Sequence, residues 1–131
     1  MPKPGLPLDP EHHQQTDEDF WEEMTRLAAS SLIVIDRAQG TAHPRHPDMV
    51  YPFDYGYIEG TSASDGDGID VFIGSRSDRA LTGILCTFDT IKRDAEIKLL
   101  LGCTIGDVQV VRAFLGDMRT VYVPHQKEDK R

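Results

Sequence analysis

Between Tyr51 and Asp70 the chain reads YPFDYGYIEGTSASDGDGID, and its last six residues hold three carboxylates, Asp65, Asp67 and Asp70, separated only by Gly66, Gly68 and Ile69. Carboxylates crowded this closely repel one another unless a cation lies among them, so the spacing points to a hard-metal cradle built from oxygen ligands. The two glycines allow the backbone curvature that lets the three side chains converge. Just upstream, Tyr55 and Tyr57 carry hydroxyls able to reach an anion or a bound water. Asp89 and Asp94 bracket a short loop containing Lys92 and Arg93, and add two more acids at a predicted hairpin tip. Five aspartates in one mouth would hold more than one magnesium ion. Several such ions suit phosphoryl chemistry, because they neutralise substrate charge, lower the pKa of a bound water and stabilise the leaving oxygens.

The same residues admit other readings. DGDG alone is an ordinary solvated turn, and Asp89 with Asp94 alone is a solvated hairpin tip. A calcium-hand loop fails on its own pattern: counted from Asp65, the fifth position is Ile69, the sixth is Asp70 rather than glycine and the twelfth is Arg76 rather than glutamate. His43 and His46 in HPRHP lie in a proline-flanked loop with no cysteine pair to complete a zinc set. No GxSxG, Walker-type loop or HExxH helix supplies another mechanism. Cys86 and Cys103 sit in apolar strings without CxxC spacing and read as reduced core residues.

The elements that must position these acids fit one domain of 131 residues, 39% apolar. A formal charge of -8 disfavours nucleic acid and anionic membranes as partners. No apolar run reaches the ~18 residues of a membrane span, and a cytoplasmic location is expected. Residues 1–15, with four prolines, and residues 125–131 read as disordered tails around a domain at 16–124. Thr16 caps a predicted helix whose first turn carries Asp17, Glu18 and Asp19 and whose apolar face is Phe20, Trp21, Met24, Leu27 and Ala28. Strands are predicted at Leu32–Asp36, Met49–Phe53, Tyr55–Glu59, Asp70–Ile73, Leu81–Phe88, Ile97–Leu101 and Thr120–Val123. A second helix, capped by Thr104, runs from Ile105 to about Leu115. The pattern is mainly β (α+β), a small closed or partly open barrel with the two helices packed on it.

YPFDYGYIEG followed by SDGDGIDVFIG resembles the core motif of soluble family I inorganic pyrophosphatases, and the resemblance extends more weakly from Ile33 to about Leu101. It implies an OB-like five-stranded barrel, several Mg2+ ions with Mn2+ as an alternative, and hydrolysis of pyrophosphate to two phosphates by a metal-activated water. On that resemblance Asp65, Asp67 and Asp70 bind metal, Asp67 is also the general base, Tyr55 supports the site, and Asp89 and Asp94 form the second metal-binding pair. The phosphate side departs from the pattern. Leu32 and Val34 stand where the family has lysine and glutamate, Glu96 replaces a lysine, and His43 replaces an arginine. Arg45, Lys92, Arg93 and Lys98 are then the candidates for substrate binding, Lys98 because it follows Glu96 by two residues and faces the same way. The family's long C-terminal helix and its tyrosine-lysine pair have no counterpart. The alternative is a pyrophosphatase-like binding or regulatory domain with little turnover, or a hydrolase of another phosphoanhydride. The sequence leaves monomer and homo-oligomer both open.

Overall fold

Helix α1 (Asp17–Ser30) starts where its cap dictates: the Thr16 hydroxyl accepts the Asp19 N–H at 3.3 Å while the Asp19 carboxylate accepts the Thr16 N–H at 2.9 Å. The structure is a computed structural model and describes residues 15–63 and 66–126. After α1 come β1 (Ile33–Arg37), β2 (Asp54–Ile58), β3 (Ile69–Ile73), β4 (Leu81–Asp89), β5 (Asp94–Leu101), α2 (Ile105–Leu115) and β6 (Arg119–Pro124). They form one sheet in the order β1-β2-β3-β5-β4-β6, in which β3 and β5 run parallel and every other neighbouring pair is antiparallel.

Alternation along the strands gives the sheet two apolar faces. Ile58, Val71, Ile84 and Leu99 point to one, where Trp21, Met24, Leu27 and Ala28 of α1 cover them. Phe72, Leu85 and Leu100 point to the other, beneath Val108, Val111 and Phe114 of α2. Asp70 and Lys98 share the parity of Phe72 and Leu100, so the polar residues of interest emerge on the α2 face.

The second helix is fixed by another capping box. Asp107 Oδ2 accepts the Thr104 N–H at 3.0 Å, and it also accepts both the N–H and the hydroxyl of Ser75 at 2.8 Å, tying the β3–β4 loop to the start of α2. Burial would raise this carboxyl's pKa, but the hydrogen bonds from Ser75 and Thr104 outweigh it and hold it below the usual aspartate value.

The α+β class with a small OB-like sheet and two helices is what the structure shows, with differences of detail. The sheet has six strands rather than five and is not closed, leaving β1 and β6 as its edges. Met49–Phe53 is not a strand. It contributes one isolated bridge, Ala42 to Val50, because Pro52 has no N–H for a ladder and Tyr51 turns inward, 7% exposed. His125, assigned by the sequence to a tail, is held in place. Its ring stacks on Trp21 at 4.6 Å, Nδ1 lies 3.0 Å from the Leu81 carbonyl, and its N–H donates to Thr82 O. Among the described residues no helix is long and apolar enough to cross a membrane. Both cysteines are unpaired, and burial, with Asp107 nearby, pushes the Cys103 thiol up to about 12.

Candidate functional site

The register Asp70↔Lys98 across β3 and β5 sets the centre of the site. Lys98 is 5% exposed, and its Nζ donates to Tyr55 Oη at 2.9 Å, to Asp70 Oδ2 at 3.0 Å and to Glu96 Oε1 at 3.5 Å. The Asp70 and Glu96 side chains are 20% and 19% exposed, so both carboxylates lean on the ammonium from partly dry positions. Burial works against the lysine's charge, but the Tyr55 oxygen and the Asp70 carboxylate beside it outweigh burial and hold its pKa above the ordinary lysine value. Burial raises the Tyr55 pKa too, so that its hydroxyl stays protonated.

Above this cluster opens a pocket of about 180 Å³, walled by His43, Tyr51, Tyr55, Phe72, Lys98 and Phe114. Its aromatic wall is continuous, with Tyr51 5.5 Å from Tyr55 and 4.7 Å from Phe114, and Tyr55 4.7 Å from Phe72, measured between ring centroids. The His43 ring lies nearly parallel to Tyr51, and its Nδ1 accepts the Arg45 N–H at 3.0 Å, which requires that nitrogen to be unprotonated. Partial burial, then His46, Arg37, Arg45 and Lys92, keep His43 below its usual pKa. Arg45 and Lys92, both expected to bind substrate, therefore lie within electrostatic reach of the pocket wall, and Arg37 joins them. A larger space of about 460 Å³ lies beside Ser62, Ile69, Cys86, Glu96 and Ile97, where the one charged lining group among the described residues is Glu96, an anion. A polyanion needs cationic partners, so the smaller pocket is the chemically suited one.

The loop before β3 is shaped by its own polar groups. Thr61 donates its hydroxyl to Ile58 O at 2.6 Å and accepts the Ile69 N–H at 2.9 Å, while Ala63 N–H donates to Asp67 O at 2.6 Å. Gly66 has φ +88°, and a Cβ at Gly68 would lie 2.7 Å from the Tyr57 ring. Asp67 is exposed on this loop, three residues before Asp70. Asp65 lies outside the described residues.

Asp89 and Asp94 face each other at the β4–β5 hairpin. Asp89 Oδ1 accepts the N–H groups of Lys92 at 3.0 Å and Ile91 at 2.9 Å, which hold its pKa below the usual range. Arg93 takes the tip's positive φ of 60°. Asp94 is four residues from Lys98, about 13 Å along the strand at ~3.3 Å per residue, whereas Glu96 is two residues away on the same face. The structure thus joins Asp70, Tyr55 and Lys98 in one cluster, sets Asp89 with Asp94 at the outer end of β5, and adds Glu96, which by sequence alone marks only the loss of a lysine. Glu96 was visible in principle, since Asp94, Glu96 and Lys98 alternate along one strand face, but its partnership with Asp70 depends on the β3–β5 register. Among the described residues no three His, Cys, Asp or Glu side chains converge as a metal set. The donor chemistry nevertheless fits a hard cation: two carboxylates already hold one positive charge, the Lys98 ammonium, between them.

A family model for inorganic pyrophosphatases matches residues 12–91, more than half of the chain. An inorganic pyrophosphatase from Aeropyrum pernix is 55% identical over 31 residues, a segment covering 24% of this chain and 18% of that protein's length. The matched family segment contains Tyr55, Asp67, Asp70 and Asp89, while Asp94, Glu96 and Lys98 lie just beyond it. The chain belongs to the inorganic pyrophosphatase family.

Proposed function

We propose that the protein is a magnesium-dependent inorganic pyrophosphatase that hydrolyses pyrophosphate to two phosphates. The observation that carries this reading is the convergence of Asp70, Glu96 and Tyr55 on one cation, Lys98, which also lines the 180 Å³ pocket beside His43, a ring on which Arg45 and Lys92 act electrostatically. Bound Mg2+, or Mn2+, would supply charge neutralisation for the substrate and a more acidic water. Asp70, Glu96 and Asp67, with Asp65, are the residues assigned to hold it; Asp89 and Asp94 are assigned to a second, more exposed cation position at the hairpin. Asp67, exposed and close in sequence, is the assigned general base that takes the proton from the attacking water. Arg37, Arg45, Lys92 and Arg93 are assigned to the substrate's phosphate oxygens, in place of the basic groups missing at Leu32, His43 and Glu96. Tyr55 keeps its proton and orients Lys98. Two unpaired cysteines suit a reducing compartment such as the cytoplasm.

A second reading, a binding domain with little turnover, draws support from Lys98, whose three donors are all taken by protein oxygens. Phosphate release from pyrophosphate by purified protein, with Mg2+ and again with EDTA, separates the two. The enzyme reading expects steady release with Mg2+ and none with EDTA. Binding of Mg2+ and pyrophosphate without release supports the second reading instead.

A further inference from the structure

We infer that Lys98 is a built-in counter-cation, which holds Asp70 and Glu96 around a single cation position and gives that position up when a divalent ion binds. The inference rests on the proposed divalent-ion dependence, and adds to it a role for a residue that would otherwise be counted as one more phosphate ligand. An ammonium has three N–H donors, and in Lys98 they face Tyr55 Oη, Asp70 Oδ2 and Glu96 Oε1. None is left for a phosphate oxygen while these contacts hold. Asp70 and Glu96 in turn spend their charge on a group that a divalent ion would repel at this distance, so ammonium and ion are competing partners for the same two carboxylates. Lys98 has somewhere to go. It forms part of the wall of the 180 Å³ pocket that also contains His43 and Tyr51, and rotation of its flexible stem would carry Nζ from the carboxylates toward that space. The consequence is an order of events: ion first, which frees Lys98, then the anionic substrate, which Lys98 can bind only once freed.

Two measurements test this without using turnover. In the wild-type protein, reductive methylation of Lys98, followed by peptide mass spectrometry, is expected to be at least about tenfold faster with saturating Mg2+ than with EDTA, because a buried and fully bonded amine becomes accessible. Calorimetric titration of Mn2+ alone into metal-free Lys98→Met is expected to show affinity at least about tenfold tighter than wild type, because the competing charge is gone. Methylation unaffected by Mg2+ overturns the inference, as does Lys98→Met binding Mn2+ no more tightly than wild type. The methylation result needs no variant and so stands even if Lys98→Met does not fold. Release of phosphate from pyrophosphate together with unchanged methylation removes the inference and leaves the proposed function intact, whereas absence of any divalent-ion binding removes both.

Discussion

Lys98 and Asp70 form the closest ion pair of the site, and a double-mutant cycle on them measures how far the site is built into the fold. At 3.0 Å, an effective dielectric near 20 gives roughly 5 kcal/mol of Coulomb attraction. Most of that is offset by the cost of removing both groups from water, so the pair's net contribution is small, but stranding one member is costly. Lys98→Met leaves Asp70 partly dry beside Glu96 without the Lys98 ammonium, and Asp70→Asn removes the nearer of the two carboxylate charges on a buried ammonium. Such losses run to about 3–5 kcal/mol, and with Asp70 one-fifth exposed the lower end, about 3 kcal/mol for each single change, is expected. The double variant is expected to cost about 3–4 kcal/mol rather than the sum, a coupling of roughly 2–3 kcal/mol. Urea unfolding monitored in EDTA reads this directly: with m near ~2 kcal/mol/M, each single change lowers the midpoint by about 1.5 M. Additive single changes, or a Lys98→Met midpoint within about 0.25 M of wild type, would refute the claim that the two groups share a dry, structured contact.

The other expectations concern elements around that pair. Glu96→Gln should weaken Mg2+ or Mn2+ binding, measured by calorimetry, about tenfold more than Asp94→Asn does, since Glu96 and not Asp94 shares Asp70's cation; equal effects would return the role to the hairpin. Asp107→Ala should cost about 2–4 kcal/mol in urea unfolding, because three donors on Ser75 and Thr104 lose their acceptor. The Asp107 pKa is depressed below 3.8 in the folded chain, so its contribution is complete above that value and is lost as pH falls through the folded pKa. Asp107→Asn should therefore flatten the stability profile on the acid side, and an unchanged acid limb would count against the hydrogen-bonded carboxylate. His125→Ala should alter the emission of Trp21, the chain's one tryptophan, and cost about 1 kcal/mol through loss of the stacked contact; identical emission and stability would mean the stack contributes nothing.

What could be read from the sequence follows from the range of the interactions involved. Both helices were legible because their starts are decided within four residues, by Thr16 with Asp19 and by Thr104 with Asp107. The DGDGID loop was legible as a cation-directed feature because its carboxylates and glycines are contiguous. Met49–Phe53 has strand composition in Val50, Tyr51 and Phe53, while the deciding feature is an inward-turned Tyr51 that stacks on Tyr55 and packs at a tilt against Phe114. The strand signal of β5 is confined to Ile97–Leu101 because Asp94, Ala95 and Glu96 have weak strand preference, although Asp94, Glu96 and Lys98 form one face of a strand that starts at Asp94. Glu96 and the His43 environment were hidden for a different reason. Their significance depends on which residue of β3 sits beside Lys98 and on how close Arg37, Arg45 and Lys92 come to one imidazole, and no local spacing encodes either.

In the proposed function the Asp67–Asp70 loop, the Lys98 cluster and the basic residues around His43 act together to split pyrophosphate. The most direct measurement is steady-state phosphate release from magnesium pyrophosphate by wild type beside Asp67→Asn, with folding of the variant checked by urea unfolding. Wild type is expected to release phosphate and the variant to retain its fold while losing roughly 10²–10⁴-fold in rate, the usual contribution of a positioned general base. Release no faster from wild type than from the variant would contradict the account.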